Sequence, residues 1–189
     1  MPIVTLFTSS GPVDQALIDT FEHNKNIQFP RLYKEFISEH DGAIPLTCRY
    51  KFIQPEYQIL NQACINFLSF KASNLGMDYY QQLLVDWGID PLIVAFGVNS
   101  SGDFICFDYR QAPTLDKPYV VTVLHDDVDS AGKHKIYEVN QNFAEFFYRL
   151  EDDRENHEIE QLNQLRRSKN RPELIEWFSK AEIASITLM

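Results

Sequence analysis

The chain is short of basic residues, of chain-breaking residues and of cysteine, and each shortage removes a class of protein. Its 189 residues carry 17 lysines and arginines against 27 acids, a formal net charge of -10. The clustered cations that phosphate binding needs are therefore missing, and direct contact with nucleic acid or an anionic membrane is not expected. Only seven glycines and nine prolines stand beside 44% hydrophobic and 13% aromatic residues, which excludes disordered, collagen-like and low-complexity chains. Three cysteines, Cys48, Cys64 and Cys106, are odd in number and far apart, and they read as free thiols in a reducing compartment. No run approaches the roughly 20 apolar residues of a membrane span; the longest, Leu92 to Val98, contains Gly97. The apolar patch at Ile3, Val4, Leu6 and Phe7 has no positive charge before it and is too short for a signal segment. A soluble, cytoplasmic protein is expected.

What is present is an ordinary globular pattern with its acid concentrated in one region. Between Ser101 and Glu160 there are fourteen acids against six bases, so this stretch holds -8 of the total charge. The periodicity predicts helices opening at Gly11-Pro12 (Val13, Leu17, Ile18, Phe21), at Pro30 (Tyr33, Phe36, Ile37, His40) and near Asp78 (Tyr80, Leu83, Leu84, Trp87). Alternation of Cys48, Tyr50 and Phe52 with Thr47, Arg49 and Lys51 predicts a strand ending near Pro55, with a second over Ile65 to Phe70. Leu92 to Phe96 suits a strand covered on both faces, and the loop Asn99 to Asp103 turns it into a hairpin with Phe104 to Asp108. Tyr119 to Leu124 continues the set and Ile136 to Val139 adds an edge. Asn142 with Glu145 resembles a capping box for a helix burying Phe143, Phe146, Phe147 and Leu150. After Leu150 the composition turns polar, with a basic run at Arg166, Arg167, Lys169 and Arg171 and a last helix around Trp177 and Phe178. Helices flanking successive antiparallel strands give an α+β fold. The expected division is a main domain over 1–150 and a helical extension over 151–189 that packs on it.

Three segments in this order resemble the SUKH superfamily, also described as the Smi/Knr-like cell-wall assembly regulator family. They are Phe29-Pro30-Arg31-Leu32-Tyr33-Lys34-Glu35-Phe36 running to Gly42, the hairpin Leu92 to Gly97 with Gly102-Asp103 to Tyr109, and Tyr119 to Leu124 ending in His125-Asp126. The first is similar to the family's Pro-x-x-Tyr-Lys-x-Phe helix. Ala43 and Ile44 depart from the pattern, which commonly has a second glycine and an aromatic there. The resemblance implies a mainly antiparallel sheet and a role in binding proteins. Bacterial members are immunity proteins that neutralise toxins, whereas fungal relatives are regulatory scaffolds with long disordered arms that this composition lacks.

The expected partner is accordingly a cognate, basic protein toxin. Its candidate contact residues are His125, Asp126, Asp127 and Asp129, with Glu151, Asp152 and Asp153 as a second cluster. Two chemical alternatives fail on their residues. Asp127, Asp129, Gly132 and Glu138 match positions 1, 3, 6 and 12 of a calcium loop, but Ala131 offers no ligand and Lys133 and Lys135 add positive charge. Cys106, Asp108 and His125 are the parts of a nucleophilic triad, but Cys106 lies between Ile105 and Phe107, as a core residue would. No Gly-rich phosphate loop, His-Glu-x-x-His or Cys-x-x-Cys is present. His23, His40, His134 and His157 read as helix-end or surface residues. No catalytic residue, cofactor or metal is expected.

Overall fold

A computed structural model describes residues 6–71, 76–112 and 114–152. The basic run, the last helix and Asp153 lie outside the described residues. In chain order the elements are β1 (Leu6–Thr8), α1 (Gln15–Lys25), α2 (Arg31–Glu39), β2 (Ile44–Pro45), β3 (Thr47–Gln54), β4 (Ile59–Cys64) and β5 (Asn66–Phe67). Then follow α3 (Met77–Asp86), β6 (Ile93–Val98), β7 (Phe104–Asp108), β8 (Tyr119–Val128), β9 (His134–Asn140), α4 (Phe143–Tyr148) and β10 (Glu151–Asp152). The fold is α+β, with antiparallel sheets ordered β5-β6-β7-β8-β9, β10-β3-β4 and β1-β2.

The larger sheet forms the core because β6 is apolar throughout and β7 is apolar up to its last residue, Asp108, and both are almost entirely buried. On one face Phe96 and Phe107 stack with centroids 4.1 Å apart, and Tyr33 of α2 and Phe143 of α4 meet both rings edge-on or tilted. On the other face, Phe104 contacts Tyr80 and Trp87 around α3. Gly97 sits at a register shift where β5 crosses close, and a Cβ there would lie 2.5 Å from Ile65 Cδ1. The smaller sheet leans on the same core through the buried side of β3, Cys48, Tyr50 and Phe52, in the predicted alternation.

Three expectations need correction. The first helix starts later than Gly11-Pro12, because the Asp14 carboxylate accepts from Ala16 N–H and sets the N-cap; Val13 is buried ahead of it and Leu17 faces solvent. Strand β4 carries no apolar alternation to reveal it; it forms because the hairpin after Gln54 lays it along β3, from Gln54 opposite Ile59 to Arg49 opposite Cys64. Only Asn66 and Phe67 of the predicted Ile65 to Phe70 strand are in the ladder. The same hairpin overturns the reading of three free thiols: it brings Cys48 and Cys64 to a Cα separation of 4.7 Å, where they form a disulfide, and Cys106 alone remains free, buried in β7.

Candidate functional site

The acidic segment after Leu124 is strand, not the loop its composition suggests. Strand β8 continues to Val128, but its register breaks: Val123 faces Ile136 and Val128 faces His134, five steps on β8 against two on β9. Extra residues on one strand form a bulge, which bends the strand and redirects side chains. His134 Nδ1 lies 3.1 Å from the Leu124 carbonyl and closes it from the other strand, while its ring stacks on Trp87.

His125 and Asp126 stand on this bulge, both exposed. His125 is anchored from behind: its backbone N–H donates to Asp103 Oδ1 at 3.1 Å and its Nδ1 lies 2.8 Å from the same oxygen. Asp103 is buried in the β6–β7 turn, where Asn99 Nδ2 donates to its other oxygen and Asn99 Oδ1 accepts from the N–H groups of Ser101 and Asp103. The hydrogen bond to Asp103 raises the imidazole pKa above its usual value, helped by the charges of Asp103 and Asp126. The Asp126 side chain is exposed and lies beside His125 and Asp103, without a side-chain hydrogen bond to the described residues.

The other predicted contact residues that the structure describes have internal partners. Asp127 accepts from Tyr137 Oη at 2.6 Å, Gln54 Nε2 at 3.0 Å and Lys135 Nζ at 3.0 Å. The Tyr137 and Lys135 contacts hold its carboxyl below the ordinary range, while burial, with the Asp127 bond, pushes Tyr137 up to about 12. Asp129 is exposed, but its Oδ1 accepts from the N–H groups of Ala131 and Lys133 and so builds the β8–β9 turn. Glu151 and Asp152 are ladder residues of β10, opposite Arg49 and Thr47. Glu151 pairs with Lys51 and lines a cleft of about 320 Å³ shared with Arg49, Lys51 and Arg149. Its charge is locally offset, so this part of the second cluster is not an acidic surface. The two clusters meet β3 at different points, Gln54 and Arg49–Lys51, and do not merge.

The arrangement cannot run the nucleophilic triad. Cys106 is fully buried opposite Val121, and burial, then the Asp108 charge, raises its thiol pKa well above the usual value. Asp108 is held by Arg110 through both carboxylate oxygens at 2.7 and 2.9 Å, and His125 is paired with Asp103 instead. Nor do the residues of the calcium-loop pattern converge: Asp127 and Asp129 have separate partners and Glu138 stands on β9 opposite Val121. Asp103, His125 and Asp126 do place one potential metal-ligand atom each within 4.8 Å of one another. Both Asp103 oxygens are already engaged in hydrogen bonds.

Sequence reasoning missed Asp103, the residue that orients His125. Its turn is marked by Asn99 four residues earlier, but nothing local shows that the turn reaches a side chain 22 residues on.

Fold and site together define an α+β domain that offers an exposed histidine and carboxylate from a bulged strand, with the candidate nucleophile sealed in the core. The family model described as SMI1 / KNR4 family (SUKH-1) matches residues 12–149, and the chain belongs to that family. A search among curated proteins returns no match. Among the described residues, no helix is long and apolar enough to cross a membrane.

Proposed function

We propose that this chain is a non-enzymatic binding protein, an immunity protein that captures a cognate toxin in the cytoplasm and blocks its active site or its access to substrate. The observation that carries the reading is the exposed His125–Asp126 pair, positioned by a buried carboxylate on a bulge in a family-matched strand. A buried Asp103 that holds both the backbone N–H and the ring of His125 suits a contact surface held in a fixed geometry. The charge of -10 supports a basic partner. A toxin that cuts nucleic acid presents cations to its substrate, and an acidic protein both accelerates encounter and competes for the same cations.

Co-expression with basic nuclease toxin domains, beginning with any encoded beside this chain's gene, tests the proposal. The unaltered chain restores growth, and Asp126→Lys, which reverses the exposed charge beside His125, weakens the rescue at low expression. Failure of the unaltered chain to rescue from any of these domains contradicts immunity and favours a regulatory scaffold role.

A further inference from the structure

Helix α3 and the sheet face it covers leave a cleft of about 630 Å³ between them. Its walls are aromatic: Tyr79, Tyr80 and Trp87 from the helix side meet Phe67 and Phe104 from the sheet, and no Lys, Arg, Asp or Glu lines it. Pockets for small ligands span roughly 300–1,000 Å³, so a large side chain with its flanking backbone fits. Two sets of contacts place one end of this cleft beside the His125–Asp126 pair. Asn99, a lining residue, donates from Nδ2 to Asp103 at 2.8 Å, and Asp103 Oδ1 lies 2.8 Å from His125 Nδ1. Trp87, another lining residue, stacks on His134, whose Nδ1 lies 3.1 Å from the Leu124 carbonyl. That end holds two carboxylates, Asp103 and Asp126, against one imidazole, and so is negative whether or not His125 is protonated. Helix α3 adds only acids, Asp78 and Asp86. Among the neighbouring cations, Lys135 turns to Asp127, and Lys133 lies in the β8–β9 turn beside Asp129. Lys71, at the Ser69 end, donates to the carbonyls of Ser10 and Pro12.

We propose that this cleft seats an aromatic side chain of the partner protein, one that stands beside an arginine or lysine reaching Asp126. The inference rests on the reading of His125–Asp126 as a contact surface and adds what that pair lacks. An exposed carboxylate speeds encounter but adds little to holding, because solvent screens the ion pair. Slow dissociation comes from anchors buried in pockets, where tryptophan, tyrosine and arginine dominate. The clefts at Glu151 and Asp108 are lined by charged side chains of both signs and do not offer such a pocket. An acidic segment is repelled by the negative end, and a second copy of this chain brings a charge of -10 with it.

NMR titration of the isotope-labelled full chain with the blocked dipeptide N-acetyl-phenylalanyl-arginine amide, up to about 20 mM so that millimolar affinities register, tests this. Amide shifts are expected along α3, in the Asn99 to Gly102 turn and at His125–Asp126. The alanyl-arginine and phenylalanyl-glutamate analogues, which each lack one half of the ligand, bind at least about fivefold more weakly. Tyr79→Ala, at an exposed rim position, and Leu83→Trp, which fills the cleft, each weaken the arginine peptide by a similar factor, and Asp126→Lys abolishes its advantage over the glutamate analogue. If Leu83→Trp does not fold, Tyr79→Ala carries the test alone. Absence of shifts in the cleft overturns the inference, as do equal binding of the glutamate analogue and indifference to Tyr79→Ala. Growth rescue by a chain whose cleft ignores the peptide removes this inference and keeps immunity; peptide binding without rescue from any toxin does the reverse.

Discussion

His125 shows how one side chain acquires a defined role from a distant partner. A solvent-facing imidazole titrates near 6.5, but the Asp103 carboxylate at 2.8 Å favours the charged form. NMR titration is expected to place the His125 midpoint above 6.5, and Asp103→Asn is expected to return it toward that value; an unchanged midpoint contradicts the pairing. The sign for stability follows. A histidine whose folded pKa lies above its unfolded pKa adds stability that is complete below the unfolded value and fades as pH rises through the folded one. The stability gap between parent and Asp103→Asn should therefore narrow above neutral pH. Exposure of the ring keeps this contribution small. Of the seven candidate contact residues, composition alone identified acids but not their use. Asp127 is spent on Lys135 and Tyr137, Asp129 on its turn and Glu151 on Lys51, whereas Asp126 is left for solvent.

Elements were legible where a single periodic signal decided them. Helix α2, the alternation of β3, the apolar run of β6 and the Asn142 cap of α4 were all readable, because burial or a cap fixes each locally; the Asn142 oxygen accepts from Glu145 N–H at 2.9 Å. Strand β4 was not legible, since none of its residues is buried to mark a core face and only pairing with β3 makes it a strand. The extension of β8 past Leu124 was hidden for a related reason: a bulge breaks the alternation that marks a strand. Close approach between elements is also invisible in sequence, and Gly97 records one. Gly97→Ala forces a methyl onto Ile65, whose Cδ1 and Cγ1 lie 2.5 and 2.6 Å from the built position. Denaturant titration should show a loss of about 1–3 kcal/mol, partly recovered when Ile65→Val removes the nearer atom in the same chain. Equal stability of Gly97→Ala and parent would mean that β5 and β6 are not this close.

At the scale of the whole molecule, net charge decides which partners the chain draws in. The acids of the second half give a long-range field. Salt acts on this field by screening, which weakens attraction to a basic partner. The family match fixes the fold class over residues 12–149, and the proposal that the acid surplus exists to meet a basic protein rests on charge and position together. The most direct measurement is the association rate of the purified chain with a toxin domain whose growth inhibition it relieves, followed by stopped flow from about 0.05 to 0.5 M salt. A fall of at least about tenfold, reduced in Asp126→Lys, is the predicted result. A rate that does not change with salt would contradict electrostatic capture and leave the carboxylates as a solubility feature.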